Sequence, residues 1–253
     1  NLGDQSLTVG GDNSSTEFSG VVSGTGGLAK QGTGTLTLSG ANSYSGPTSV
    51  TEGTLRVANT EALGSSSSFS LDNGTLSFAV SSLGDASGSL VLGSNGGVLD
   101  VDVDQSLSLS GVVSGTGALT KTGGGQLSLS GANTYTGSTA INNGVLLVSG
   151  SLSDGTAVNV GGSGTYELGA DDTVGSIAGS GAINLGDQSL TVGGDNSSTE
   201  FSGVVSGTGG LAKQGTGTLT LSGANSYSGA TTINAGALSI SGSLSDGTAV
   251  NVG

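Results

Sequence analysis

A glycine-rich motif of 23 residues occurs three times in this chain and limits the folds that the chain can adopt. Its letters, GTGGLAKQGTGTLTLSGANSYSG, are the same at residues 24–46 and 207–229, and a variant, GTGALTKTGGGQLSLSGANTYTG, occupies residues 115–137. The identity extends further, because residues 1–46 recur without change at 184–229. The chain is therefore an array of units of about 91 residues, each of which buries its apolar residues against its neighbours.

Apolar and polar residues alternate throughout the array. The runs TLTLSG, QLSLSG and SLTVGG have the period of two that indicates strands with one buried face, and Gly, Asn and Asp separate them. Gly accounts for 52 of the 253 residues, which a flexible linker could also show, but a linker would not keep this alternation. We predict an all-β protein whose core includes six leucines of the motifs: Leu36, Leu38, Leu127, Leu129, Leu219 and Leu221.

The segment that follows each motif predicts how successive strands are joined. TSVTEGTLRV (48–57), TAINNGVLLV (139–148) and TTINAGALSI (231–240) each place one glycine between two strands. Glycine adopts positive φ without the steric cost that other residues bear. We predict that the chain turns corners at Gly53, Gly144 and Gly236.

Such corners fit either the hairpins of a β-sandwich or a chain that winds in one direction. Because equivalent residues recur every 91 or 92 residues, we favour a parallel β-helix, or β-solenoid, in which like side chains form ladders. With about 20 to 25 residues per coil, a unit has about four coils and the chain about eleven. The units are residues 1–91, 92–183 and 184–253, within one continuous solenoid domain.

Composition excludes several classes of function. The net charge is −14 and only four residues are Lys or Arg, so nucleic acids and anionic lipid surfaces are poor partners. No run of apolar residues is long enough to span a membrane. The chain has neither His nor Cys, which excludes a Ser-His-Asp triad, a conventional zinc site and disulfides. We therefore predict a protein that is not an enzyme and has no cofactor.

The pattern GxGxLxKxGxGxLxLSGxNxYxGxTxIxxGxLxV resembles the passenger-associated transport repeat of Gram-negative autotransporter passengers. It matches at about 24–57, 115–148 and 207–240, with Lys, Asn and Tyr in register in all three copies. The resemblance implies a right-handed parallel β-helix that is exported to the cell surface, where such passengers often act as adhesins or aggregation factors. The sequence contains no translocating barrel or signal peptide of that family, so we expect it to be a fragment of such a protein.

Two sets of motif residues are candidates for surface contacts. The first contains the three lysines that occupy equivalent positions, and the second contains the three tyrosines: Lys30, Lys121 and Lys213; Tyr44, Tyr135 and Tyr227. The lysines could bind a ligand or carbohydrate, although outward lysines that protect a sheet edge are the preferred interpretation. The tyrosines could stack on sugar rings, but we favour an aromatic ladder that covers the sheet.

A run of alternating acidic residues is the one weak candidate for a metal site. Asp100, Asp102 and Asp104 would lie about 7 Å apart on one face of a strand and could present oxygen ligands to Ca²⁺. The run lacks the glycine and glutamate of a calcium loop, so a solvated acidic face is preferred and no resident metal is expected.

The sequence thus predicts a structural or adhesive extracellular protein, a fragment of an autotransporter-type surface adhesin or a self-associating surface fibre. Its expected partners are copies of itself, docked head to tail or laterally, or a host or neighbouring cell surface. A carbohydrate-binding or carbohydrate-cleaving β-helix is the alternative, and a groove lined by clustered Asp and Tyr would favour it.

Overall fold

The computed structural model describes residues 1–66, 68–80, 88–245 and 248–253. In these residues the regular structure consists entirely of β-strands, and every strand pair is parallel. The chain winds through about 12 turns of a β-solenoid, so the prediction of an all-β parallel β-helix is confirmed. The number of turns is close to the eleven expected from the sequence.

Each turn passes through three sheet faces in the same order. Face 1 contains Leu7–Val9, Leu28–Lys30, Thr48–Val50, Ser68–Leu71, Ser89–Leu92, Val113–Gly115, Asp172–Val174, Leu190–Val192, Leu211–Lys213, Thr231–Ile233 and Val250–Val252. Face 2 contains Thr16–Phe18, Thr35–Leu38, Thr54–Val57, Gly74–Phe78, Gly97–Val101, Leu119–Thr122, Ser176–Gly179, Thr199–Phe201, Thr218–Leu221 and Ala237–Ile240. Face 3 contains Ser23–Gly24, Ser43–Tyr44, Ser106–Leu109, Gln126–Leu129, Ala182–Asn184 and Val204–Ser206. Two long strands, Thr139–Val148 and Ala157–Leu168, begin in face 2 and end in face 3.

The core is a set of aliphatic rows that run along the solenoid axis. On face 2, Leu36 pairs with Leu55, which pairs in turn with Leu76 and then Leu99. These side chains point inward because successive residues of a strand point to opposite faces of the sheet. The six leucines of the motifs all lie in this interior, and each fully buried leucine stabilises the fold by roughly 2 kcal/mol relative to an exposed one.

The three motif copies do not occupy equivalent faces, which the sequence did not reveal. One turn takes between 17 residues, as from Thr165 to Ala182, and 23, as from Leu90 to Val113. The motif strand that carries the lysine lies on face 1 in copies 1 and 3 but on face 2 in copy 2. The distance along the chain from copy 1 to copy 2 is thus four turns plus one face, and the distance from copy 2 to copy 3 is four turns plus two faces. The identical copies consequently lie on the same faces, nine turns apart.

This rotation overturns the expected ladders of like residues 91 residues apart. Tyr44 and Tyr227 lie on face 3, or on its continuation, whereas Tyr135 lies on the continuation of face 1. Neighbours along the axis are instead residues 17 to 23 positions apart, and they belong to different parts of the unit. The aromatic ladder predicted for the three tyrosines is therefore wrong.

The corners at Gly53 and Gly236, between faces 1 and 2, and the corner at Gly144, between faces 2 and 3, depend on glycine. At Gly144, φ is +69°, and a Cβ atom there would lie 2.3 Å from the carbonyl oxygen of Gly125 and 2.5 Å from that of Gly123. Any other residue would be strained in its backbone and would collide with the turn below. The other two predicted corners have the same arrangement: Gly53 (φ +64°) and Gly236 (φ +70°).

Candidate functional site

The three motif lysines are buried, so their prediction as surface contacts is wrong. Lys30, Lys121 and Lys213 are at most 1% exposed. In the sheet, Lys121 is paired with Leu99 below and Ile141 above, so its side chain occupies a place in an aliphatic row of the core. The alternation that places a motif leucine inside places the lysine two residues later inside as well.

Each lysine ammonium is held by backbone carbonyls at the corner between two faces. Lys121 Nζ donates to the carbonyl oxygens of Thr122 (2.5 Å), Gly123 (2.8 Å) and Asn143 (3.3 Å). The first two acceptors follow the lysine directly, and the third lies in the next turn, just before Gly144. Equivalent contacts recur in the other copies: Lys30 with Gln31, Gly32 and Glu52, and Lys213 with Gln214, Gly215 and Ala235. We call this arrangement the corner cage.

Burial makes the charged form of these lysines less favourable. The loss of hydration lowers the pKa of Lys121 to about 8, although the nearby Asp100 carboxylate acts in the opposite direction. Burial also lowers the pKa of Lys30 and of Lys213, and the carboxylates of Glu52 and Asp195 partly offset the effect. Lys121, in the middle of the rod, shows the largest change.

A buried asparagine in each motif connects three successive turns. Asn133 Oδ1 accepts from the Val113 amide at 3.0 Å, in the turn below, and Asn133 Nδ2 donates to the Ser151 carbonyl at 2.8 Å, in the turn above. Asn42 and Asn225 make the equivalent contacts. Their partners in adjacent turns lie about 20 residues away in the chain.

The motif tyrosines are fully buried and are not available to stack on a ligand. The hydroxyl of Tyr135 is hydrogen-bonded to the hydroxyl of Thr139 at 2.5 Å, inside the rod. Tyr44 pairs with Thr48 and Tyr227 pairs with Thr231 in the same way. Each pair bridges one corner of the solenoid, because the threonine begins the strand that follows that corner.

A fourth buried tyrosine forms a variant of this arrangement. Tyr166 donates to Asp172 Oδ2 at 2.5 Å, and Asp172 Oδ1 accepts from the amides of Leu152 (3.1 Å) and Thr173 (3.0 Å). Asp172 thus bonds to the amide of the turn below, as Asn133 does. Burial raises the pKa of the Asp172 carboxyl, while these hydrogen bonds act to lower it, and burial also raises the pKa of Tyr166.

We expect the substitution Asp172→Asn to stabilise the protein at pH 7. The folded-state pKa of Asp172 is raised, so its ionised form is less favourable in the folded state than in the unfolded state. The contribution of this group to stability is present at acid pH and is lost as pH rises through the folded pKa. The increase in the free energy of unfolding that Asp172→Asn gives should therefore become smaller as pH falls towards the ordinary aspartate pKa. Urea unfolding of both proteins at pH 7 and pH 4 measures it, and a gain independent of pH would contradict the assignment.

The acidic run does not form the predicted row of three carboxylates. The strand Gly97–Val101 ends before Asp102, and Asp104 has φ +63° in a turn. Asp100 accepts from Ser77 (2.9 Å) and Thr122 (2.8 Å), and Asp102 forms an ion pair with Arg56 at 2.6 Å. Within the part of the chain that the structure describes, no group of three His, Cys, Asp or Glu residues is placed to hold a metal.

Sequence reasoning found the motif residues but assigned most of them to the wrong side of the sheet. The sequence did contain a signal for the corner cage, because each lysine lies two residues after an inward-facing leucine of the same strand and therefore faces inward too. Thr139 and its equivalents, Tyr166 and Asp172 were missed. The spacing of four residues between each motif tyrosine and a threonine was a visible clue, whereas no pattern in the sequence joins Tyr166 to Asp172.

Three segments match the family model of the passenger-associated-transport-repeat: residues 28–57, 119–148 and 211–240. Each match begins at the strand that carries the corner lysine and ends with the strand that follows the corner glycine. It therefore contains the whole corner cage, the buried asparagine and the tyrosine–threonine pair. Together with the parallel solenoid, these matches define the class: the chain is a β-solenoid that carries three copies of the passenger-associated transport repeat.

A particular adhesin is similar to this segment along nearly its whole length. The chain is 40% identical over 272 residues to the adhesin BmaC autotransporter of Brucella suis biovar 1 (strain 1330). The alignment covers 99% of this chain but only 8% of that protein, so the chain spans a small part of the relative it matches. No solved structure matches the chain significantly. In the described residues no helix is long and apolar enough to cross a membrane.

Proposed function

We propose that this segment is a rigid, non-catalytic stalk within an adhesin that is exported to the bacterial cell surface. The observation that carries the proposal is that Lys, Asn and Tyr, the distinctive polar residues of the motif, all make their contacts inside the rod. What the three copies share is the means of joining one turn to the next. A segment built in this way extends and holds its neighbours at a fixed distance and orientation.

The similar protein of Brucella suis is named as an adhesin and an autotransporter, which supports the cell-surface role. We further propose that the stalk meets either a host or neighbouring cell surface or other copies of itself, laterally or head to tail, as in a surface fibre. The net charge of −14 opposes close lateral approach at low ionic strength. Association between copies should therefore strengthen when salt screens that charge.

The alternative, a carbohydrate-binding or carbohydrate-cleaving β-helix, draws little support from the described residues. The motif tyrosines lie inside the rod, and two aspartates of the acidic run, Asp100 and Asp102, have separate partners. An open groove of about 270 Å³ on face 1 is lined by Asp187, Ser189, Thr208 and Thr232, together with Gly, Ala and Leu residues. None of its lining residues is aromatic, so it lacks a platform on which a sugar ring could stack.

The stalk proposal predicts the effect of a long internal duplication. A second copy of residues 47–229, inserted after Gly229, should add nine turns and lengthen the rod by about 43 Å. Every face stays in register, because Gly46 and Gly229 end identical segments that lie on the same faces. Negative-stain electron microscopy and small-angle scattering of both proteins measure the change in length.

The same micrographs distinguish the two modes of action. Rods that differ by the added length support a stalk, and regular filaments, favoured by added salt, support self-association as part of the function. A duplicated protein that collapses into particles of the original length would contradict the stalk. Duplication of residues 24–114, which shifts the motif by one face, is the control that should disturb the register.

A further inference from the structure

The corner cage is an unusual environment for a charged group. The Lys121 methylene chain lies between Leu99 and Ile141 in the core, where an aliphatic residue alone would satisfy the packing. Among the described residues the one ion pair within 4 Å joins Arg56 to Asp102, so none of the three ammonium groups has a carboxylate at that distance. Neutral carbonyl oxygens are therefore the direct ligands of each buried ammonium.

The backbone of the corner explains why a cation is needed there. The carbonyls of Thr122 and Gly123 on one turn and of Asn143 on the next converge on one point. Their left-handed glycines, Gly123 (φ +72°) and Gly144 (φ +69°), direct them there. Converging carbonyl dipoles repel one another, and a positive charge with N–H donors placed between them reverses that repulsion.

We propose that each corner cage is an ammonium-binding site and that the chain supplies the ligand from its own lysine side chain. The chemical class of the ligand is a primary alkylammonium ion: an apolar stem lies in the aliphatic row and an –NH₃⁺ group donates three hydrogen bonds to carbonyls. The same geometry occurs three times, on two different faces, with contacts of 2.5 to 3.5 Å in every case. The lysine is thus a tethered cation that joins two consecutive turns.

Two substitutions at Lys121 separate the ammonium from its stem. Lys121→Met keeps the apolar stem but removes the charge, and we expect the Tm to fall by about 5 °C because the carbonyls lose a charge-assisted donor. Lys121→Ala removes the three carbons and the nitrogen that make up n-propylammonium. Adding 0.1 M n-propylammonium should therefore raise the Tm of this variant relative to wild type by several degrees, about 3 °C or more if the site is well occupied.

Matched controls make the result specific. Tetramethylammonium has the charge without N–H donors, and n-propanol has the stem without the charge, so neither should rescue Lys121→Ala. Ile141→Ala opens a cavity in the same aliphatic row but leaves the cage filled, and it should not respond to n-propylammonium. Where Lys121→Ala does not fold, Lys30→Ala carries the same test nearer the end of the described rod.

Two outcomes would overturn the proposal. The first is a Lys121→Met protein as stable as wild type, which would show that the stem alone accounts for the lysine. The second is equal stabilisation of Lys121→Ala by n-propylammonium and tetramethylammonium, which would show a general salt effect. Neither result bears on whether the rod acts as a stalk, because that is measured by its length.

Discussion

Replacing Gly144 with alanine is expected to lower the free energy of unfolding by about 3 to 5 kcal/mol. Two costs add at this position. The residue must keep φ near +69°, which costs a non-glycine residue about 1 to 2 kcal/mol. Its new Cβ must also move away from the carbonyl oxygens of Gly125 and Gly123, which lie at 2.3 Å and 2.5 Å from the Cβ position. Those atoms belong to the backbone of the turn below, so they cannot rotate aside.

Alanine variants at two other glycines separate the cost of the positive φ from the cost of the collision with the turn below. A Cβ added at Gly155 would meet no atom within 4 Å, and its φ is outside the left-handed region, so Gly155→Ala should change stability by less than about 0.5 kcal/mol. A Cβ at Gly3 also meets no atom within 4 Å, but its φ is +59°, so Gly3→Ala should show the backbone cost alone, about 1 kcal/mol. Urea unfolding of the three variants measures the series. If Gly144→Ala is no more destabilising than Gly3→Ala, the collision with the turn below is not a constraint on the fold.

The architecture was predictable from the sequence because its signals are periodic. Alternation gave the strands, and the glycine between Ile141 and Leu146 gave the corner. The same alternation gave the burial of residues such as Leu127 and Leu129. These features depend on one strand at a time, so a single sequence contains them.

The stacking of turns could not be predicted in the same way. The partner of Leu119 is Gly97 on one side and Thr139 on the other, and these intervals of 22 and 20 residues differ from turn to turn. Corner lengths fix the intervals, so a repeat of 91 residues need not contain a whole number of turns. It contains four turns and one face here, which is why like residues do not stack and why the tyrosine ladder is absent.

The lysines were misplaced for a different physical reason. A charged residue is expected at the surface because burial removes its hydration, and that expectation ignores backbone acceptors. At the corners that hold the lysines, left-handed glycines direct carbonyls inward and supply those acceptors. Polar groups that hold one turn to the next must lie between turns, which is why the shared Lys, Asn and Tyr of the motif are interior.

A substitution at Asn133 tests whether interior polar residues hold one turn to the next. It changes only a few atoms and has a large expected effect on the free energy of unfolding. Asn133→Asp keeps the oxygen that accepts from the Val113 amide. It replaces the amide nitrogen, which donates to the carbonyls of Ser151 (2.8 Å) and Gly131 (3.0 Å), with a second oxygen. A carboxylate that is 3% exposed and faces two acceptors is an uncompensated buried charge, so the free energy of unfolding should fall by about 3 to 5 kcal/mol at pH 7.

Asp172 shows why an aspartate is tolerated at a related position in this protein. Its second oxygen faces the Tyr166 hydroxyl, which donates to it, whereas the corresponding atom of Asn133 faces carbonyls. The same carboxyl group is thus acceptable or strongly unfavourable according to one neighbouring donor. This contrast makes Asn133→Asp and Asp172→Asn a reciprocal pair with opposite expected effects at pH 7.

The pH dependence identifies the cause of the Asn133→Asp loss. In the folded variant the carboxyl pKa should lie above its unfolded value, because the protonated form can donate to Ser151 and the ionised form cannot. Stability should therefore recover as pH falls through that raised pKa and be lost again as pH rises. Asn159→Asp adds the same charge at an exposed position and should show neither effect. Urea unfolding of the two variants and wild type between pH 4 and pH 8 measures the difference, and a loss for Asn133→Asp that does not change with pH would mean that the site is not a buried clamp between turns.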